Sequence, residues 1–344
     1  MAELSREEIQ RRVAAYESTG SFEAASKELG IGRTRVREAV LKARALDLKA
    51  PQFQIEDLPD GEMEAREIID YLKKHNTKKI AAHQARQLIN IDIKIDGPIA
   101  ICHLGDPHID NPGTDWVQLE SDLETVRKTE GMFAGNVGDT HDNWAGRLAA
   151  QYAFSPVTKP QTKKLIEWLC GSTSWLYFLL GNHDIWTGGD PIHEFMKNSS
   201  GAYEEWAARL NLRFQNGRHI RVNARHDFSG SSQWNPAHAQ GKAAQIGYKD
   251  HLLLSGHKHK SGYIVIKDPA SGLVSHCIQV ASYKVADPYA VQSGFMDLHI
   301  SPSVTTVINP YLPDDHGDQI KVFYSVEEAA SYLKFLRRRY AKHA

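Results

Sequence analysis

The chain is poor in cysteine, in long apolar runs and in net charge. Its 344 residues include three cysteines, Cys102, Cys170 and Cys277, which are far apart and odd in number. This argues against a disulfide framework and predicts a reduced, cytoplasmic protein. No stretch approaches about 18 apolar residues and no apolar run precedes a cleavage site, so we expect no membrane span and no signal peptide. The formal net charge of −1 excludes a polycation. Contact with nucleic acid would therefore depend on local basic patches.

Residues 1–48 predict a small helix-turn-helix domain. Ser5 is a typical N-cap with glutamates in the first turn of the helix that follows. A short second helix over 21–29 and a tight glycine-containing turn over 30–32 precede a basic third helix. A plain packing module is the alternative. The candidate DNA-contacting residues on the third helix are Arg33, Arg35 and Arg37.

The rest of the chain predicts an α/β protein. Residues 49–96 form a helical connector, interrupted near Asn76, and residues 311–344 contain a basic helix that starts near Ser325. Between them, over 97–310, short apolar runs alternate with segments long enough for helices, and hairpins follow. The predicted strands are 98–104, 131–137, 175–180, 220–224 and 251–254, and the predicted hairpins pair 263–267 with 274–280 and 295–300 with 305–308.

Four clusters of His, Asp and Asn each follow one of these apolar runs. They are Asp106-Pro107-His108, Gly138-Asp139-Thr140-His141-Asp142-Asn143, Gly181-Asn182-His183-Asp184 and Gly256-His257-Lys258-His259. Each alone is more often a turn or a surface loop. Four such clusters at four strand ends predict a dinuclear metal site instead.

These residue types suit the hydrolysis of a phosphate ester. Two divalent metals neutralise the transition state and activate water, and they need His, Asp and Asn ligands with a bridging carboxylate. Asp106 and His108 can turn toward one ion, and Asp139, directly after a glycine, can bridge two. The remaining members of the clusters have distinct roles: Asn182 offers an amide oxygen, His257 and His259 can serve different ions, and His183 can protonate the leaving oxygen.

The order D-x-H, G-D-x-x-D, G-N-H-D, H, G-H-x-H over roughly residues 97–300 resembles the calcineurin-like metallophosphoesterase family. The resemblance implies a four-layer α/β/β/α sandwich and two divalent metal ions, with manganese expected first and iron, zinc, nickel or magnesium as alternatives. It implies one ion held by Asp106, His108, Asp139 and His259, and a second held by Asp139, Asn182, His257 and one more His. It also implies that His183 contacts the transition state and that Asp184 orients it.

The additional His ligand should end a strand between the third and fourth clusters. His226 follows the apolar run 220–224 and is the expected ligand, with His238 as the fallback and His219, at the strand's start, unsuited. Four further residues would lie behind the ligands or at the substrate rim: Asp110, His141, Asp142 and Asn143. Asn143 stands where phosphoprotein phosphatases of the resembled family carry arginine, which favours a phosphodiester substrate.

The expected function is a metal-dependent phosphodiesterase, with DNA as the expected substrate because of the helix-turn-helix. A helix-turn-helix joined to such a phosphoesterase resembles proteins of bacteriophages and prophages. A phosphatase or nucleotide phosphodiesterase is the alternative. A DNA-binding regulator with a non-catalytic scaffold would predict damaged ligands, yet every ligand position is chemically competent. Segments 144–156 and 228–240 are expected at the substrate rim, where Tyr152, Phe154 and Trp234 could stack on bases. No membrane partner is expected, and the sequence leaves the oligomeric state open.

Overall fold

The computed structural model describes residues 4–45, 65–187, 191–197, 199–286 and 298–340. The chain divides into two compact units, Met1–Asn76 and Thr77–Ala344. The first part of the predicted connector, up to residue 64, lies outside the described residues. Among the described residues, no helix combines the length and apolar character that a bilayer-spanning segment needs.

The N-terminal unit contains the three predicted helices, α1 (Arg6–Thr19), α2 (Phe22–Glu28) and α3 (Arg33–Ala45). The Ser5 hydroxyl accepts a hydrogen bond from the Glu8 amide at 3.2 Å, so it caps α1 as predicted. Apolar side chains from all three helices form a common core, which makes this unit all-α. Its buried members are Ile9, Val13, Ala15, Ala25, Val36, Val40 and Ala43.

A fourth helix, α4 (Ala65–Arg86), is continuous through Asn76, where the sequence predicted an interruption. Asparagine costs less than about 0.7 kcal/mol relative to alanine in a helix interior, so one such residue does not break 22 residues of helix.

The described residues of the larger unit form 12 strands with helices around them. The strands are β1 (Ile89–Asp92), β2 (Ile99–Leu104), β3 (Met132–Asn136), β4 (Trp175–Leu180), β5 (Ala202–Glu205), β6 (Ala207–Arg213), β7 (His219–Arg225), β8 (Leu252–Ser255), β9 (Gly262–Lys267), β10 (Val274–Gln279), β11 (Ser303–Ile308) and β12 (Ile320–Phe323). The helices are α5 (Trp116–Lys128), α6 (Lys159–Gly171), α7 (Asn182–Ile185), α8 (His193–Met196), α9 (His238–Ile246) and α10 (Val326–Tyr340), with a 3-10 helix at Gly146–Phe154.

Two six-stranded sheets form the centre of this unit. The first sheet has the order β1-β6-β7-β8-β10-β9, and the second has the order β12-β11-β2-β3-β4-β5. Neighbours β2, β3 and β4 are parallel, and so are β7 and β8. The chain passes from β5 in the second sheet to β6 in the first through Trp206 alone, whose φ of 63° makes the sharp change of direction.

The alternating side chains of β2 show how the layers stack. Ile99 and Ile101 pack into a core shared by both sheets, whereas Cys102 and Leu104 pack against helices α5, α6 and α10. The outer face of the first sheet packs on α9 through Leu253 and neighbouring apolar residues. The resulting order of layers is helices, second sheet, first sheet, helix. The four-layer α/β/β/α architecture predicted from the sequence is confirmed.

The predicted hairpin of 295–300 with 305–308 differs from the structure. Residues 295–297 lie outside the described residues, and 298–300 are not in a strand. Strand β11 pairs antiparallel with β2 on one side and β12 on the other. Its side chains are buried throughout, and its partners are the next strand in the chain, β12, and the distant strand β2, rather than the residues just before it.

Candidate metal centre

The four sequence clusters and His226 meet where strands of both sheets end. The loops after β2, β3 and β4 lie at one edge of the second sheet because these three strands are parallel neighbours. The loops after β7 and β8 share one edge of the first sheet for the same reason. Ligand sites in α/β proteins form at such carboxyl edges of strands.

Asp106, which follows β2 of the second sheet, is held by residues that follow strands β8 and β10 of the first sheet. Its carboxylate accepts a hydrogen bond from the His257 amide at 2.5 Å, and Oδ2 lies 3.4 Å from His259 Nε2. Its own carbonyl accepts from the Ser282 hydroxyl at 2.7 Å. The loop after β2 is therefore joined directly to the loop after β8.

Asp139, Asn182, His226 and His257 form one compact group. The Nε2 atom of His226 lies 3.3 Å from Asp139 Oδ2, 2.9 Å from Asn182 Oδ1 and 3.1 Å from His257 Nδ1. The other ring nitrogen, Nδ1, lies 2.9 Å from the carbonyl of Val137, which can only accept a hydrogen bond. Nδ1 therefore carries a proton, and this contact orients Nε2 toward the other three side chains.

His108, Asp142 and His183 form a second group. The Nδ1 atom of His108 lies 2.9 Å from Asp142 Oδ1, although the angles there do not make a hydrogen bond. The ring of His108 also lies 4.8 Å from the ring of His183 and 5.3 Å from that of His259. Within this group and within Asp139–His226–His257, the ligand atoms all lie within 4.8 Å of one another.

Several buried polar atoms in these groups have no hydrogen-bond partner in the protein. They are Asp106 Oδ1, both ring nitrogens of His108 and Asp142 Oδ1, of which His108 Nδ1 and Asp142 Oδ1 lie 2.9 Å from each other. Buried polar atoms are almost always hydrogen-bonded, so Asp106 Oδ1 and His108 Nε2, which lie beside a cluster of imidazoles and carboxylates, need an explanation. Divalent cations bound by nitrogen and oxygen ligands would satisfy them. The residues present therefore fit two divalent metal ions.

The charges of the site are strongly coupled. Burial raises the pKa of Asp106 to about 8. Burial opposes charge on His226, but the hydrogen bond and charge of Asp139 outweigh it and raise the pKa of His226 to about 10. Protons held by these groups compete with a cation for the same lone pairs, so metal affinity should fall with decreasing pH.

Two glycines allow the ligands to approach closely. A Cβ on Gly181 would collide with the Asp139 carboxylate and would lie 2.6 Å from the His226 ring. A Cβ on Gly256 would lie 2.5 Å from Asp106 Oδ1. Gly181 and Gly256, which precede ligand residues, are therefore needed because any larger side chain would collide with Asp139 or Asp106.

His183 is buried beside the metal-binding groups and oriented by the main chain. Its Nδ1 donates to the carbonyl of Asp142 at 2.5 Å, which leaves Nε2 available to a substrate. Burial lowers the pKa of His183 to about 4. The carboxylate of Asp184 accepts from the amides of Thr140 at 2.9 Å and Gly181 at 2.8 Å, and therefore fixes the loops after β3 and β4.

The remaining predicted site residues have definite positions. Asp110 is buried and accepts from the Asp142 amide at 2.7 Å. His141 is buried 3.9 Å from Asp184. The side chain of Asn143 donates to the carbonyl of His183 at 2.7 Å. His238, the alternative ligand, is exposed at the start of α9.

The structure also brings to the site Trp144, from the segment 144–156 expected at the substrate rim, and two residues that the sequence left without a role, Trp186 and Lys284. Trp144 and Trp186 flank the ring of His183, and the ammonium of Lys284 lies 5.5 Å from the centroid of the Trp144 ring. Trp186 and Lys284 belong to none of the four clusters and to neither expected rim segment, and the fold brings them beside His183 and Trp144. In the N-terminal unit, Arg33, Arg35 and Arg37 are all exposed on α3.

No protein-family model matches the chain, and no curated protein matches it by sequence. Among solved structures, the chain is similar to a 5'-nucleotidase precursor from Thermus thermophilus, with TM-score 0.34 and 12% identity over 71% of this chain and 58% of that one. It is similar to Chaetomium thermophilum Vps29, with TM-score 0.32 and 12% identity over 65% and 92% of the two chains. It is also similar to GAP50, the anchor in the inner membrane complex of Plasmodium, with TM-score 0.35 and 11% identity over 70% and 95%. The chain thus spans little more than half of the 5'-nucleotidase precursor, and matches this remote support no inference about activity.

Proposed function

We propose that this protein is a phosphoesterase that depends on two divalent metal ions and hydrolyses phosphodiesters. The observation that carries the proposal is the meeting of two His/Asp groups, His108–Asp142–His183 and Asp139–His226–His257, at the carboxyl ends of strands from both sheets. The buried polar atoms there that lack partners support bound cations rather than a structural network.

We take the ligand roles from the family resemblance, and the 3.4 Å between Asp106 Oδ2 and His259 Nε2 is compatible with them. We assign Asp106, His108 and His259 to one ion, Asn182, His226 and His257 to the other, and Asp139 to both. Manganese is the first candidate, and iron, zinc, nickel and magnesium are the alternatives. When bound, two such ions supply charge neutralisation for the phosphate and lower the pKa of water.

His183 is the residue that we assign to the leaving oxygen. Its Nδ1–H is held by the carbonyl of Asp142, so Nε2 is the atom that can contact substrate. With its pKa lowered to about 4 by burial, the imidazole is neutral near pH 7. A bound phosphate would favour the imidazolium through its negative charge, and His183 could then protonate the departing alkoxide.

The phosphodiester preference is supported by the surroundings of Asn143. Its amide is engaged with the carbonyl of His183 and with the Thr187 hydroxyl at 3.3 Å, so this position supplies no cation for a dianionic monoester. A diester carries one negative charge fewer at neutral pH. It therefore needs less positive charge beyond the two metals.

The test compares wild type with Asp139→Asn and a matched control, Asp268→Asn. Asp268 lies just beyond the far end of β9 and binds Lys249 at 3.0 Å, so its replacement should leave the site unchanged. We expect manganese-dependent hydrolysis of bis-p-nitrophenyl phosphate by wild type and the control. Asp139→Asn should lose at least about 100-fold in rate and in manganese affinity.

Other outcomes would change the assignment. Hydrolysis of p-nitrophenyl phosphate alone would make the protein a phosphatase. Failure to turn over any phosphoester with manganese, iron, zinc, nickel or magnesium would refute the proposal. A non-catalytic scaffold would then be favoured if the protein still bound DNA.

We also propose that the N-terminal unit binds DNA. The support is the short helix α2, a turn that contains two glycines, and the exposed arginines of α3. Replacing Arg33 and Arg37 together with alanine should reduce the salt dependence of DNA affinity by about 2 in the logarithmic slope if both contact phosphates. An unchanged slope in fluorescence anisotropy would contradict this, with Arg11, an exposed arginine of α1, as the control position.

A further inference from the structure

Three aromatic rings form a wall on one side of the candidate metal centre. The ring centroid of Trp186 lies 3.9 Å from that of His183, and the Trp144 centroid lies 5.2 Å from His183 on a steeply inclined ring. The two tryptophans are 6.4 Å apart. Trp186 remains 38% exposed although its ring lies against His183 at an interplanar angle of 37°, so part of its surface is open to a ligand.

The wall is held in place by the loops that carry the ligands. Asn143 precedes Trp144, and Thr187 follows Trp186. The hydroxyl of Thr187 donates to Asn143 Oδ1 at 3.3 Å, and Asn143 also donates to the carbonyl of His183. The ammonium of Lys284 lies 5.5 Å from the Trp144 centroid, within reach of a cation–π contact. The two rings are therefore fixed relative to His183.

The position of the wall determines which part of a substrate can reach it. His183 is the group assigned to the leaving oxygen, and both tryptophans contact its ring. A group attached to that oxygen therefore lies beside the tryptophans, whereas the rest of the phosphate would face the residues assigned as metal ligands. A flat, partly exposed indole favours a flat aromatic group, because stacking buries the contacting face of each ring and needs no particular hydrogen-bond pattern.

We propose that Trp186 and Trp144 form a binding subsite for an unpaired nucleobase on the leaving side of a phosphodiester. This inference rests on the proposed phosphoesterase function and adds the substrate class. A base inside a duplex is covered on both faces by its neighbours, so the subsite selects single strands and short nucleotide diesters over duplex DNA.

The test uses two dinucleotides with the same scissile phosphate, thymidylyl-thymidine and an analogue that lacks the base on the leaving side. With manganese, wild type should hydrolyse the base-bearing dinucleotide with the higher kcat/KM. Trp186→Ala should reduce that advantage by about 5- to 100-fold, the range expected for the loss of one base–aromatic stack. Trp186→Phe, which keeps a ring, should retain most of it.

The matched control is Trp168→Ala. Trp168 is 40% exposed, like Trp186, but it lies on α6 with its ring 5.5 Å from that of Trp116. Its replacement should change neither substrate's kcat/KM. A Trp186→Ala effect that is equal for both dinucleotides would overturn the subsite, because it would show a general loss of structure or chemistry.

The failures of the two proposals can be separated. The subsite would be overturned by equal rates on both dinucleotides or by a preference for duplex over single-stranded DNA. Hydrolysis of bis-p-nitrophenyl phosphate in the same experiment would still support the phosphoesterase. If no phosphodiester were hydrolysed, the phosphoesterase proposal would be refuted. The subsite would then be tested by a binding measurement. Tryptophan fluorescence of the wild-type protein with manganese should then respond to thymidylyl-thymidine more strongly than to the analogue, and an equal response would overturn the subsite.

Discussion

Replacing Gly181 with alanine should separate Asp139 from its partners without straining the backbone. Gly181 has φ −98° and ψ −172°, a conformation that alanine adopts freely, so the effect of the substitution is steric alone. The new methyl group would collide with the Asp139 carboxylate and would lie 2.6 Å from both the Asp139 amide nitrogen and the His226 ring. Contacts under 3 Å require these groups to move.

The size of the effect follows from that crowding. Relief by about 1 Å of movement would displace Asp139, the proposed bridge between two ions, and misplacement on that scale can cost about 100-fold in rate. Overpacking of this kind also costs about 1–3 kcal/mol of stability. The expected result is a folded protein with much weaker metal binding and a modest loss of stability.

Isothermal titration with manganese and urea unfolding would measure the two effects separately. Gly171→Ala is the matched control, because nothing lies within 4 Å of a Cβ at that position near the end of α6 and its φ is not left-handed. It should bind manganese as wild type does. If Gly181→Ala also bound two ions with wild-type affinity, Asp139 and His226 would not be ligands at the positions assigned to them.

Three further predictions concern a ligand, a buried histidine and a buried ion pair. His226→Asn should lower manganese affinity at least about 10-fold and His238→Asn should not, as equilibrium dialysis would show, and the reverse result would make His238 the ligand. Burial lowers the pKa of His103 to about 3, so the folded state stays neutral while the unfolded state gains a proton below about pH 6.5. The contribution of His103 to the free energy of unfolding is therefore complete above that pH and decreases by about 1.4 kcal/mol per pH unit as the pH falls toward 3. Urea unfolding at pH 7.5 and 5.5 should show a smaller decrease in the free energy of unfolding for His103→Gln than for wild type. Asp250→Asn should lower the free energy of unfolding in urea by about 1–3 kcal/mol, because Asp250 is fully buried and binds Arg209 through two contacts of 2.8 Å. The value is kept modest because the arginine is about a third exposed and its charge is partly screened by solvent. An unchanged free energy of unfolding would contradict this prediction.

Strands β2, β4 and β8, which carry much of the site, could be predicted from the sequence because they are buried on both faces. The apolar run 175–180 has the same limits as β4, and its six side chains are all buried. A strand of this kind is an uninterrupted apolar run bounded by turn residues, which is a local signal. The residues after it are then placed at the carboxyl edge of a sheet, so the convergence of the clusters also follows from the sequence.

Two edge strands, β1 and β5, could not be predicted because their local pattern is weak. β5 has the sequence Ala-Tyr-Glu-Glu and β1 has Ile-Asn-Ile-Asp, and both are short and partly exposed. They form by pairing with distant segments, β5 with β4 and β1 with β6, rather than through their own propensity. The aromatic wall depends in the same way on the adjacency of β3 and β4, which a single motif does not encode.

The backbone conformation of the site explains why the sequence indicates which residues are the ligands but not how their side chains are oriented. Seven non-glycine residues in the described chain have positive φ, and Asp106, His108, Asp139, Asn143, His257 and His259 are six of them. Asp, Asn and His are among the residue types that tolerate this region best, and they are also the types that bind metal. A residue held there costs about 1–3 kcal/mol, and such strain persists only where the surrounding structure imposes it. The buried strands and the contacts between loops impose it here, so the ligands are aimed by the fold, whereas the motifs specify only which side chains stand at the strand ends.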